Sequence, residues 1–182
     1  MAEGTWYLSK EDWRRAARAY REAIALRPDE PVAYFNLGAA LFNFGAVEAA
    51  QRYLEVRERL PVGSGRWAVA TARSFSILAQ EVCAEVAKPE WWSDEGLKAL
   101  SARVVRAAPD DLQAHRMRAI VLDGFLSASW EVGPCSAVEL QEAAAHFERV
   151  VTLTHAPALK AEYAGHAARC RSNADGMQRR VA

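Results

Sequence analysis

The sequence predicts an all-α solenoid of antiparallel helix pairs, about four repeats closed by a terminal helix. Composition is the first observation. Of 182 residues, 51% are hydrophobic and 25% charged, as in an ordinary packed domain. Alanine supplies about one residue in five, against only 10 Gly and 7 Pro, a balance that favours close-packed helices over strands. The second observation is a period of 34 residues. Gly4, Gly38 and Ala72 share one register, and Tyr7, Leu41 and Phe75 share another. Ala16 falls on Ala50, Tyr20 on Leu54 and Leu26 on Leu60. All are expected to be buried, small where two helices cross closely and large where a gap must be filled. The register is lost after Phe75 and returns as Ala119 with Leu122, then as Gly165 with Ala168. Helix punctuation in step with apolar periodicity is the third observation.

Each element follows from that punctuation. A short helix covers about residues 2–9, and a second runs from Asp12 to Leu26, before Pro28. A third spans about Pro31 to Asn43, where a proline in the first turn costs nothing because that N–H is unpaired anyway. A fourth spans Val47 to Leu60. The loop PVGSG turns the chain, and Arg66 to Val86 reads as one longer helix. Ser93 caps a helix ending near Ala108. Asp110 caps the next, which runs to about Phe125. Ser136 with Glu139 makes a capping box for a helix to Leu153. A last helix covers Pro157 to Arg171, and the tail SNADGMQRRVA reads as frayed. The domain expected is therefore residues 1–172: regular repeats over 1–61, degenerate repeats with insertions over 62–155, a terminal helix over 156–172, and a frayed tail over 173–182.

The segment YLSKEDWRRAARAYREAIALRPDE closely resembles the second half of a tetratricopeptide repeat, and PVAYFNLGAALFNFGAVEAAQRYLEVRERLP resembles a whole one. Tyr34, Leu37 and Gly38 supply the family's aromatic and Leu-Gly. Gly45, Ala50 and Leu54 match the second helix, and Pro28 closes the preceding unit. The second half of the chain matches mainly at helix ends, as in ARVVRAAPDD and AHFERVVTL. The resemblance implies a right-handed superhelix with a concave recognition surface, hence a protein-interaction scaffold without enzymatic activity. Some relatives grip a C-terminal carboxylate through Lys, Asn, Asn, Lys and Arg on three successive first helices. The matching positions here are Met1, Thr5, Asn36, Arg66 and Ala70, of which only Asn36 and Arg66 fit.

Two irregularities qualify the repeat. Leu41 and Ala50 are nine residues apart, but Phe75 to Leu97 spans 22 and Leu122 to Ala143 spans 21, so the third and fourth units carry insertions of about a dozen residues in the same place. Met1 falls where a regular first helix is already four residues old. The start is either a cropped helix or the edge of a fragment, which leaves a second reading: the helical arm of a larger enzyme, such as a glycosyltransferase or isomerase.

Several classes of function find no support. With 23 Lys+Arg against 23 Asp+Glu, the charge does not suit a nucleic-acid binder, whose affinity rests on neutralising phosphates. Cys83, Cys135 and Cys170 are odd in number and far apart, so neither a disulfide framework nor a zinc knuckle is expected. The N-terminus lacks a basic stretch followed by an apolar run, and no apolar stretch approaches the ~20 residues that span a bilayer. An intracellular, cytoplasmic home is expected, with no membrane partner and no cofactor. His166 and Cys170 have the i, i+4 spacing of half a metal site, but His146 and His155 lie on other segments. Glu11 with Asp12, and Asp110 with Asp111, sit at helix starts, where the dipole favours carboxylates. Arg169, Arg171, Arg179 and Arg180 against Asp175 read as a solvated basic helix end.

The face of the third helix turned away from Tyr34, Leu37, Gly38 and Leu41 carries Val32, Phe35, Ala39, Phe42 and Asn43. The equivalent face of the next repeat carries Arg66, Val69, Arg73 and Ser76. Together they predict a groove with an apolar floor and an arginine wall, suited to a peptide or helix bearing hydrophobic and acidic residues. Trp91 and Trp92 in one insertion and Trp130 in the other emerge on one edge of the solenoid. They are expected either to fold back over helix ends or to form a second contact surface, since Trp is a favoured interface anchor.

Overall fold

The computed structural model describes residues 1–124, 130 and 133–181, which are helical without a strand. The chain divides into two compact units, residues 1–87 and 88–182.

The first unit holds α1 (Ala2–Ser9), α2 (Trp13–Leu26), α3 (Pro31–Leu41), α4 (Ala46–Arg59) and α5 (Gly65–Leu78). Each helix packs on the next, and the short connections fold them back as antiparallel neighbours. Glu11, at φ +57°, turns the chain out of α1. Asp12 then caps α2, accepting from the Arg15 amide at 3.2 Å. Glu30 caps α3 by accepting from the Val32 amide at 3.2 Å, with Pro31 in the first turn. Ser64 caps α5.

The repeat is plain at the crossings. A Cβ on Gly4 would stand 2.8 Å from the Tyr20 ring, and one on Gly38 would stand 3.0 Å from the Tyr53 ring. Each glycine thus makes room for a tyrosine of the following helix. This corrects the sequence register by one residue. Tyr53, fully buried, is the counterpart of Tyr20, whereas Leu54 is half-buried. The cause is local: α4 starts eight residues after Gly38, while α2 starts nine after Gly4. Leu26 is corrected too. At the very end of α2 it is 83% exposed.

The expected long helix from Arg66 ends at Leu78. Gln80 is extended, and a 3₁₀ turn, Glu81–Cys83, packs back on α4. No Gly or Pro marks the break; what it achieves is complete burial of Cys83.

The second unit holds α6 (Asp94–Ala107), α7 (Leu112–Asp123), α8 (Ala137–Leu153) and α9 (Pro157–Val181), with α7 packed on α6, α8 on α7 and α9 on α8. The division at residues 87 and 88 lies inside the third pair's insertion, so α5 and α6 belong to different units. Ser93 caps α6, and the Ser136–Glu139 capping box opens α8. Asp111, not Asp110, caps α7, accepting from the Ala114 amide at 2.9 Å. Asp110 instead accepts from Arg149 at 2.7 Å. Gly124, at φ +65°, ends α7 in the left-handed region open to glycine, and the expected extension to Phe125 lies outside the described residues.

Ala119 and Leu122 are buried as the register requires. Gly165 and Ala168 are exposed; the stripe that α9 buries is Tyr163, Ala167, Cys170 and Ala174. That stripe also explains why the tail is helical through Val181 rather than frayed. Ala174 is fully buried and prolongs the contact for one more turn, and Met177, Gln178, Arg179 and Arg180 are good helix formers. Among the described residues, no helix is long and apolar enough to cross a membrane.

Candidate functional site

The predicted groove residues lie in the first unit, on α3 and α5. Phe35 is the fifth residue of α3 and half-buried, and Arg66 is the second of α5 and exposed; the 3.6 period sets which residues share their faces. Val32, Phe35, Arg66 and Val69 wall a single open cavity of about 300 Å³, together with Pro31, Val56, Leu60 and Gly65. The volume is at the lower end for ligand sites, and the lining is apolar apart from the Arg66 head group.

Arg73 does not line the cavity but lies over the ring of Phe35, which does. Its guanidinium lies 5.5 Å from the centre of the Phe35 ring and 5.9 Å from that of Tyr53. Nη1 donates to the Tyr53 hydroxyl at 3.5 Å. The two rings meet edge to face at 5.3 Å, so ring quadrupoles hold the cation from beneath. Burial pushes the Tyr53 phenol up, against the pull of Arg73. The Arg73 Nε is buried and has no hydrogen-bond partner among the described residues. Some arginines of this unit are neutralised, Arg21 by Glu48 at 2.6 Å and Arg52 by Glu55 at 2.9 Å. Arg66 and Arg73 have no such carboxylate among the described residues.

The remaining predicted residues follow α3 away from the cavity. Ala39 is half-buried, and Phe42, which ends α3, is 46% exposed. Asn43 is brought elsewhere, to a surface depression shared with Lys10, Trp13 and Phe44 at the hairpin turns. Val56 and Leu60 were missed because they belong to the second helix of a pair, which periodicity assigns wholly to the core. The carboxylate-clamp positions are spent on structure: Thr5 shares a 3.1 Å hydrogen bond with the Tyr20 hydroxyl, and Ala70 is fully buried.

In the second unit the three tryptophans come together. Trp92 lies 5.6 Å from Trp91 and 6.1 Å from Trp130, ring centre to ring centre, and the Lys88 ammonium sits 5.5 Å from the Trp92 ring. Trp130 is 6% exposed, and Trp91 and Trp92 are half-buried. The rings therefore spend much of their surface on one another.

The histidines were not foreseen as a group. His115 and His146 face each other Nδ1 to Nδ1 at 2.8 Å, and the His115 Nε2 lies 2.8 Å from the Pro109 carbonyl. The carbonyl only accepts, so His115 donates through Nε2 and its Nδ1 accepts from His146. This leaves the His146 Nε2 3.6 Å from Glu142. Burial is the main force holding the His146 pKa below its ordinary value. His166 stacks on Phe147 at 5.2 Å and sits below its ordinary pKa, again through burial. Burial pushes the Cys170 thiol up to about 12. His155 is exposed. Among the described residues no three of His, Cys, Asp and Glu are grouped as metal ligands would be. Arg169 and Arg171 pair with Asp123 and Glu148.

Comparison with known proteins agrees with this architecture. The tetratricopeptide-repeat (TPR repeat) family model matches residues 4–45. No curated protein matches. Among solved structures, the crystal structure of MamA aligns over 100% of this chain and 97% of its own, with a TM-score of 0.54 at 12% identity. That likeness is one of fold. The chain is thus an all-α protein of helix pairs that is similar to the tetratricopeptide repeat over residues 4–45.

Proposed function

We propose that this protein is an interaction scaffold that binds a peptide or helix of a partner protein in the groove between α3 and α5, and that it performs no catalysis itself. The repeat sequence and the helical-pair fold support the general role, since such arrays recognise partners on surfaces built from successive first helices. One observation supports the location: an open apolar cavity with Arg66 in its wall and Arg73 over the Phe35 ring, neither of them paired with a carboxylate among the described residues. Apolar walls alone belong to packing. The exposed Arg66 at the cavity adds attraction for an acidic group on a partner.

The test uses the whole chain as bait in a pull-down with mass spectrometry, with Val69→Glu, in the cavity wall, and Arg73→Glu run in parallel. A partner held by the wild type and lost by both variants, at unchanged helix content by circular dichroism, supports the groove. Wild-type capture by both variants places binding elsewhere.

A further inference from the structure

We infer that the cavity walled by α3, α4 and α5 binds a free small molecule, a carboxylic acid with a medium-length apolar chain. The body of the ligand follows from the walls. The side chains of Val32, Phe35, Val56, Leu60 and Val69 present only carbon to a space of about 300 Å³. A water molecule's share of liquid volume is ~30 Å³, so the space suits about ten non-hydrogen atoms, the size of octanoate. A polar group in the middle of such a ligand would lose water and gain no side-chain partner, which is costly.

The charge and its place follow from the helix ends. α3 and α5 start at one end of the cavity and α4 finishes there, which brings Pro31, Val32, Leu60, Gly65 and Arg66 to that end. Phe35, Val56 and Val69 lie about one turn further along their helices, about 5 Å deeper. The cavity is therefore polar at one end only. There the exposed Arg66 guanidinium has no carboxylate partner among the described residues. The Gly65 amide, the first of α5, has no acceptor within its helix, and the capping Ser64 hydroxyl is already spent on the Trp67 amide at 3.2 Å. A guanidinium beside a helix start favours a carboxylate. The start of α3 offers no such donors, because Pro31 lacks an N–H and the Val32 amide donates to the Glu30 carboxylate. Glu30 thus repels an anion from α3 and leaves it to α5. Arg73 lies outside the cavity, over the Phe35 and Tyr53 rings, so the deep end carries no second charge. A ligand with one anionic end and an apolar remainder matches this arrangement.

The inference stands apart from partner binding, since the acid is titrated into the chain alone; where a partner's apolar side chain enters the same space, the acid competes with it. Isothermal titration calorimetry of the full chain with octanoate is the test, with butanoate, 1-octanol and octylammonium as companions. Octanoate should bind at one site per chain. It should bind at least about tenfold more tightly than butanoate, whose four fewer methylenes leave most of the cavity empty, and than octylammonium, whose charge has the wrong sign. Arg66→Gln, at an exposed position, should weaken octanoate about fivefold or more and leave octanol unchanged. Val69→Phe and Val32→Phe, each checked for unchanged melting, put carbon into the cavity and should weaken both ligands; if neither folds, Arg66→Gln decides. Three results overturn the inference: no octanoate binding, octylammonium binding as tightly as octanoate, or octanoate binding at several sites that these substitutions do not touch. None of them bears on the partner, which the pull-down with Val69→Glu and Arg73→Glu decides separately.

Discussion

Gly38 is the position at which the repeat architecture is most exposed to test. A Cβ there would stand 3.0 Å from Cε2 and Cζ of Tyr53 and 3.2 Å from Cδ2, where carbon atoms prefer about 3.5–4.0 Å. The ring has little room to retreat. It is fully buried, with Phe35 against its edge and Arg73 above it. Two effects oppose each other in Gly38→Ala. Alanine gains roughly 0.8–1.0 kcal/mol of helix propensity, while overpacking a filled crossing costs about 1–3 kcal/mol. The net is a loss of about 1 kcal/mol. Gly38→Leu adds three more carbons in the same direction with no further gain, and loses about 3 kcal/mol. For a unit of this size each kcal/mol lowers the Tm by about 4–8 °C. Thermal melts and urea titrations of wild type, both variants, Tyr53→Leu and the double variant Gly38→Ala/Tyr53→Leu measure this. Because the added methyl and the ring occupy the same space, the double variant should be less destabilised than the two single losses together, by about 1 kcal/mol. A Tm unchanged in Gly38→Leu, or strictly additive losses, would falsify the proposed facing of Gly38 and Tyr53.

The opposite sign is expected at Gly165, where a Cβ meets nothing within 4 Å: Gly165→Ala should stabilise the second unit by about 0.8–1.0 kcal/mol, and a loss of stability there would mean that α9 carries a partner on that face. The His146 pKa is lowered by folding, so the unfolded chain binds the extra proton first, and stability should fall as pH drops below about 6.5 and on through the folded pKa. His146→Gln should flatten part of that decline between pH 7 and 5 in urea titrations; an unaltered pH profile would show that the histidine pair does not drive it. In the proposed groove, Val69→Glu and Arg73→Glu should each weaken a captured partner at unchanged helix content.

The helix pairs were legible because they rest on local chemistry. Asp12, Ser64, Ser93 and Ser136 each place a side-chain acceptor at a helix start, and a glycine recurring after 34 residues marks the crossing. What a rigid period could not carry is the length of each turn. One residue fewer between Gly38 and α4 moved the tyrosine from position 54 to 53, although both residues were in plain view. The break after Leu78 and the helical tail after Arg171 were illegible for a related reason. Neither has a stop or start signal, and each is decided by a buried contact, Cys83 on α4 and Ala174 in the α9 stripe.

The groove divides along the same line. Val32, Phe35, Arg66, Val69 and Arg73 could be chosen from sequence because residues on one face of a helix are fixed by its period alone. Val56 and Leu60 could not, since they reach the cavity only through the packing of α4 between α3 and α5. Their presence changes what the site is. Without them the groove would be a basic strip with scattered apolar residues, which favours long-range attraction over a defined contact. With them, the face holds a walled apolar cavity with Arg66 in its lining. On the proposed groove, a partner would then be selected by an apolar side chain that fills this cavity, and charge attraction to Arg66 would add to that contact rather than replace it.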